Sequence, residues 1–405
     1  MSRNGQQSRR RSARKLAFGV LLLLALAIPL DLFVTGRDAR ARWISALPPG
    51  AVRQLGRSFP QDPPVLFALA RSQRNQGDSA AAVETLRRAT ELDPTFQLGR
   101  GEYADTLIDV GRTAEARSIS RECLMNHPEV LPALVAEGRL YASRNEWREA
   151  ARSAAEALQV APTSPDAWLL QARVDAGQNR WQEAAAAASR VSGIGSRQWE
   201  ARVIRAEAAM ELGDFTQAVE HAEAAVALRP VEHRAQTCLA RALLQVGEPG
   251  ALERARGVAA EAVRLAPLDR QALLAAASVE VAQSRWDTAR EQLETILQGW
   301  PDANDARLLL SRVAKASGDL AAARRWTTEH LRWEKFLGER DMLLERVRAV
   351  PYDPQPWVDL AVRYQEFGMW TEARRAAGEA LKKTRDPGAL ALMHSLLGGK
   401  EKPSP

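Results

Sequence analysis

A spacing of 34 residues governs this sequence from Pro63 onward. Segments beginning at Pro63, Gln97, Leu131, Pro165, Trp199 and His233 stand in phase at that step, and later ones begin near Arg270, Asn304 and Pro354. The eighth position of successive segments holds small residues, among them Ala70, Ala104, Gly138, Ala172, Ala206 and Ala240. The twentieth does the same with Ala82, Ala116, Ala150, Ala184 and Ala218. A small side chain at a fixed place in each of two helices lets those helices approach closely. Between them stand turn residues such as Gly77, Gly111, Asn145, Asn179 and Ser284, and second helices stop before Pro94, Pro128, Pro162, Pro230, Pro267 and Pro301.

With Trp168 and Trp357 at position 4, and Trp147, Trp181, Phe215, Trp286 and Trp370 at position 17, the pattern resembles the tetratricopeptide repeat family. The resemblance covers roughly residues 63–386 in nine repeats. It implies an antiparallel helix pair per repeat and a right-handed superhelical solenoid, with a concave face lined by first-helix positions 2, 5, 9, 12 and 13. Three repeats depart from the pattern. The fourth lacks a closing proline and ends at Ser192-Gly193-Ile194-Gly195, which predicts a wider turn. The sixth has about three extra residues around Glu248-Pro249-Gly250. The eighth is elongated, with a second helix from Leu320 to Ala349 and a break near Gly338. Ala389 to Leu397 reads as a capping helix within a C-terminal segment, 387–405, that ends in a tail.

The family's groove positions carry the functional expectation. Position 9 is arginine in five of the nine repeats, Arg71, Arg139, Arg173, Arg241 and Arg312, while position 5 is mostly apolar, with Phe67, Leu169, Leu274 and Leu308. An apolar stripe beside an arginine ladder suits an acidic peptide or helix, because a guanidinium is a rigid fork for carboxylates. The same arginines also suit pairing with acids of neighbouring helices, of which the chain has 50. The family's peptide-clamp subclass needs lysine at position 5 with asparagine at position 9, and no repeat here has both. Trp326 and Trp333 lie seven apart and share a face of the long helix, so they either pack on the last repeats or meet a partner.

The N-terminus suggests a membrane. Leu16 to Leu30 is free of charge, and past Asp31 the apolar run continues to Val34, about 19 residues in all. Arg3, Arg9, Arg10, Arg11, Arg14 and Lys15 precede it and account for the whole net charge of +6. Such flanks predict a cytoplasmic N-terminus. The alternatives are an uncleaved signal anchor, a cleaved signal peptide, or a buried helix that leaves the arginine cluster unexplained. The expected organisation is a basic tail at 1–15, a transmembrane anchor in the lipid bilayer at 16–34, and a juxtamembrane spacer and partial cap at 35–62. The solenoid at 63–386 would then lie on the periplasmic side of a bacterial inner membrane. The function expected is that of an anchored scaffold or assembly factor binding a protein or peptide partner. The alternative is a permanent accessory subunit of a multi-subunit membrane complex.

Other chemistry is absent from the sequence. Cys123 and Cys238 lie several repeats apart, too far along a solenoid for a disulfide, and two cysteines cannot build a four-cysteine metal site. The five histidines show no ligand spacing, and there is no phosphate-binding glycine loop, zinc-protease helix or nucleophile elbow. No enzyme activity, metal or cofactor is expected. Beyond residue 15 the basic and acidic residues balance, which argues against nucleic acid as a partner.

Overall fold

The computed structural model describes residues 36–191, 197–383, 390–391 and 394–395. Alanine- and leucine-rich stretches fold as helices because their starts are capped. Asp62, Asp78, Ser164, Asp214, Asp269 and Asp319 each accept a backbone N–H three residues on, as Asp78 does from Ala81 at 2.9 Å. Twenty α-helices have described bounds, and they fall into two bodies, residues 1–230 and residues 231–405.

The N-terminal body opens with a short pair, α1 (Arg37–Ser45) and α2 (Pro49–Ser58). Five repeat pairs follow: α3 (Pro63–Asn75) with α4 (Ser79–Leu92), α5 (Gln97–Asp109) with α6 (Thr113–Asn126), and α7 (Leu131–Ala142) with α8 (Trp147–Val160) come first. Then come α9 (Pro165–Gly177) with α10 (Trp181–Ser189), and α11 (Gln198–Glu211) with α12 (Phe215–Leu228). Ile44 and Val52 of the opening pair bury against Val65 and Ala68 of α3 and cover the end of the core. First helices of successive repeats touch along one face, and each second helix also touches the next first helix. The small residues do what their spacing demands: Ala82, Ala104, Ala116, Ala150, Ala172, Ala184, Ala206 and Ala218 are all fully buried. At Gly101 the approach is to backbone, since an added Cβ would lie 2.8 Å from the backbone nitrogen of Ala133 in the next repeat.

The C-terminal body holds α13 (His233–Val246) with α14 (Pro249–Leu265), and α15 (Arg270–Ala282) with α16 (Trp286–Gly299). Next come α17 (Asn304–Ala316) with α18 (Leu320–Ala349), and α19 (Gln355–Glu366) with α20 (Trp370–Leu381). In the sixth repeat the extra residues become a left-handed Gly247 and a proline-initiated, 17-residue α14. In the eighth, α18 is continuous for 30 residues, so the expected break near Gly338 does not occur. One glycine costs a helix only about 1 kcal/mol, and buried Trp333 and Phe336 fasten the helix just before it.

The expectation of a transmembrane helix is corrected. Residues 16–34 lie outside the described residues, and among those described no helix is long and apolar enough to cross a membrane. The longest, α18, carries charged residues throughout its length. Among the described residues the fold is the all-α repeat array, with no helix that could span a membrane. The signal anchor, the bilayer contact, the inner-membrane and periplasmic location and the membrane-complex subunit have no basis in the structure, because all of them rested on that span. The wide turn expected at Ser192–Gly195 and most of the capping helix expected at Ala389–Leu397 also lie outside the described residues.

Candidate functional site

The candidate site is the inner face of the N-terminal body, where the first helices α3, α5, α7, α9 and α11 carry positions 2, 5, 9, 12 and 13. The arginines of the ladder in this body do not stand free. Arg139 of α7 is buried and donates to Asp105 and, at 2.6 Å, to Asp109, both on α5. Arg173 of α9 pairs with Glu200 of α11. Arg71 of α3 lies 3.5 Å from Asp166 of α9 and 4.0 Å from Glu102 of α5.

Two further arginines close the network. Arg74, at the end of α3, reaches Glu102 at 3.0 Å, Asp105 at 2.7 Å and Asp109 at 2.6 Å. Arg197, just before α11, crosses the inner face to pair with Asp105, 92 residues away, and lies 3.7 Å from Asp166. Arg71, Arg74, Arg139 and Arg197 thus meet Glu102, Asp105, Asp109 and Asp166, four cations against four anions. Outside this cluster, Arg229 at the end of α12 donates to the Arg74 carbonyl at 2.9 Å, across 155 residues. The last turn of this body is thereby tied to the end of the first helix of its first repeat.

The electrostatics follow from this packing. Burial works against the Arg74 charge, but Asp105, Asp109 and Glu102 outweigh it and hold its proton more tightly than usual. Burial likewise opposes the Asp105 charge, and Arg74 with Arg139 overcome it, so this carboxyl sits below the ordinary aspartate range. Glu102 goes the other way: burial raises it, with Arg71 and Arg74 compensating only in part. A ladder of open cations waiting for an acidic ligand is not what this face presents. Its charges are answered from within the chain.

What stays open is a cavity of about 280 Å³ beside the network. Phe67, Leu98, Leu131, Pro132, Val135 and Val160 give it apolar walls, Glu102, Asp105 and Asp166 lie on its charged side, and Arg42 of α1 and Arg71 supply the cations. Arg42 is exposed and has no ion-pair partner among the described residues. Phe67, expected at groove position 5, is fully buried with its ring edge-on to Phe96 at 5.8 Å, and Leu169 is buried between repeats.

The remaining ladder residues lie in the C-terminal body. Arg241 is half-buried, Arg312 is exposed, Leu274 is buried and Leu308 is half-buried. Trp326 is half-buried against the core around Leu293 and Leu310. Trp333 is 5% exposed. Its ring meets Phe336 and Phe367 edge-on at 5.5 and 5.0 Å, and the Arg307 guanidinium lies 4.2 Å from its centre. Burial pushes Arg307 down to about 10. The two tryptophans therefore differ in accessibility although they share a helical face. Cys123 and Cys238 are free and buried, and burial pushes the Cys123 thiol up to about 11. Among the described residues no His, Cys, Asp and Glu group could hold a metal ion.

Position 9 and position 5 were visible in the sequence, but Arg42, Arg74, Arg197, Arg229 and Asp166 were not singled out by it. One signal was available: Glu102, Asp105 and Asp109 stand at i, i+3 and i+7, one face of a helix, and no other repeat has acids at all three of these positions. Arg197 and Arg229 carry no such signal, because only the closure of the body brings them to their partners.

Comparison with known proteins agrees with the repeat assignment. Two sequence models, each described as tetratricopeptide repeat, match residues 135–196, 205–270 and 274–332, and residues 63–96, together more than half of the chain. No curated protein matches the sequence. The crystal structure of the APC/C hetero-tetramer Cut9–Hcn1 is similar at 14% identity and a TM-score of 0.54, over 89% of this chain and 62% of that one. This chain thus spans less than two thirds of its length. The human IFIT1 dimer with m7Gppp-AAAA is similar at 14% identity and TM-score 0.48, over 80% of this chain and 91% of that one. PilF of Pseudomonas aeruginosa is similar at 20% identity and TM-score 0.40, over 58% and 96%. At these identities the likeness is one of fold.

Proposed function

The chain belongs to the tetratricopeptide repeat family, and from that premise we propose that it is a protein-interaction scaffold or assembly factor whose recognition site is the cavity of the N-terminal body. The occupant is a short peptide segment that inserts one apolar side chain and presents a carboxylate to Arg42. The observation that carries this reading is the space of about 280 Å³ with eight apolar lining residues and, at its edge, an exposed arginine with no ion-pair partner among the described residues. The other four lining charges, Arg71, Glu102, Asp105 and Asp166, are already satisfied by one another and by Arg74 behind them. Charge selection therefore falls to Arg42, and shape selection to Leu98, Leu131 and Val160. The mechanism is positioning: a rigid, pre-formed pocket takes one residue of a partner with little ordering cost.

A random peptide library selected on the purified full chain tests this. The enriched sequences should share an apolar residue next to Asp, Glu or the C-terminal carboxylate. Arg42→Glu should weaken a selected peptide by about tenfold or more, and Leu131→Trp, which fills the cavity, should do the same without altering the melting curve. Enrichment of basic sequences, or affinity untouched by both variants, sinks the proposal.

A further inference from the structure

Away from the inner face, the N-terminal body has a place where cations meet without an acid. Arg202 and Arg205 stand three residues apart on α11, at repeat positions 4 and 7, where the first repeat has Leu66 and Leu69. Both are half-buried. Across the repeat, Nδ1 of His221 on α12 lies 3.4 Å from a terminal nitrogen of Arg202. A guanidinium can only donate, so Nδ1 accepts and the ring proton sits on Nε2. Neither arginine has a carboxylate partner among the described residues.

The charges show the mismatch. Burial and the neighbouring Arg202 make Arg205 a weaker base than usual. Burial, then Arg205 and Arg202, lower the proton affinity of His221, and Glu220 and Asp214 offset this only in part. Those two acids do not neutralise the pair. Asp214 is engaged as the cap of α12, accepting from the Gln217 backbone at 3.0 Å and its side chain at 2.8 Å, and Glu220 points into solvent. Like charges three apart on a helix repel, and apolar residues would pack at these positions. On the inner face of the same body each buried arginine is met by a carboxylate. Here, among the described residues, no carboxylate pairs with either arginine.

We infer that Arg202, Arg205 and His221 form a binding site for a phosphate-type oxyanion, either free or carried as a phosphoryl group. Two guanidinium forks suit the tetrahedral oxygens. The bound anion adds the negative charge that the arginines lack, and it favours a protonated His221, so affinity rises as pH falls through the titration of that ring. The groups facing His221 in this titration are Arg202 and Arg205 from α11 and Asp214 and Glu220 from α12 and its cap.

The test is a titration of the full chain, labelled at the histidine ring carbons, with inorganic phosphate at low salt. The His221 resonance should shift saturably, and its pKa should rise by about one unit in the bound form. Arg202→Gln and Arg205→Gln should each weaken binding by about tenfold, while circular dichroism melts confirm that they fold. His221→Gln should retain binding and lose its pH dependence. Phosphoserine, run in parallel, separates the sources: equal affinity identifies a carried phosphoryl group, and a preference for inorganic phosphate identifies the free ion. No saturable shift, or unchanged affinity in the folded arginine variants, overturns the site.

Discussion

Asp105→Asn is the perturbation that loads the internal network most heavily. The carboxylate is 3% exposed and is shared by Arg74 at 2.7 Å, Arg139 and Arg197. The amide keeps its shape but leaves four cations facing three carboxylates in a buried space. Removing one partner from a buried ion pair costs about 3–5 kcal/mol, and three donors depend on this one, so the upper half of that range is expected. Arg197→Met alone leaves Asp105 with two arginines and should cost about 1.5–3 kcal/mol, the worth of a hydrogen bond to a charged group. In the double variant three cations again face three anions. Its loss should therefore fall short of the sum of the single losses by at least about 1.5 kcal/mol. Urea unfolding followed by circular dichroism measures the three losses, and amide exchange of α5 assigns them to the N-terminal body. A cost below about 1 kcal/mol for Asp105→Asn, or additivity within about 0.5 kcal/mol, refutes the network as the element that holds this face closed.

Two further outcomes follow from the same structure. Because the folded Asp105 carboxyl titrates below the ordinary aspartate value of 3.8, its contribution is complete above that pH and is lost as pH falls through the folded value. Glu102 is raised by burial and has the opposite sign, its contribution fading as pH rises through its folded value, so Glu102→Gln should cost less than Asp105→Asn in urea melts at pH 7 and should leave the acid limb in place. In the C-terminal body, Ser284 occupies with φ 58° the left-handed turn position that glycine holds in other repeats; Ser284→Gly should raise stability by about 0.5–1 kcal/mol, read as a higher urea midpoint with an unchanged slope.

The repeat architecture was legible because it is written in small residues at a fixed spacing: Ala82, Ala116, Ala150, Ala184 and Ala218 are each fully buried where the phase puts them. The inner face was legible only in part. A position-by-position reading finds Arg139 and Asp105 in the same column but not that they touch, and it treats an arginine ladder as a surface offered to others. Long-range closure decides otherwise. Arg197 meets Asp105 and Arg229 meets Arg74 because the first helices turn toward one another within one body, a property of accumulated helix packing that no local pattern encodes. The tryptophans of α18 make the same point, for Trp333 is buried by Phe336, Phe367 and Arg307, contacts that draw on three separate helices or turns. Apolar length misled in one respect: the stretch at 16–34 suggested a membrane topology that the described helices do not support.

The central claim is that partner recognition occurs at the cavity of the N-terminal body and not along the arginine ladder. Photocrosslinking with a selected peptide tests it most directly, with the reactive residue placed at Val160 on the cavity wall or, separately, at the exposed ladder position Arg312. Crosslinks from position 160 with none from position 312 are predicted. Crosslinks from position 312 with none from position 160 would contradict it.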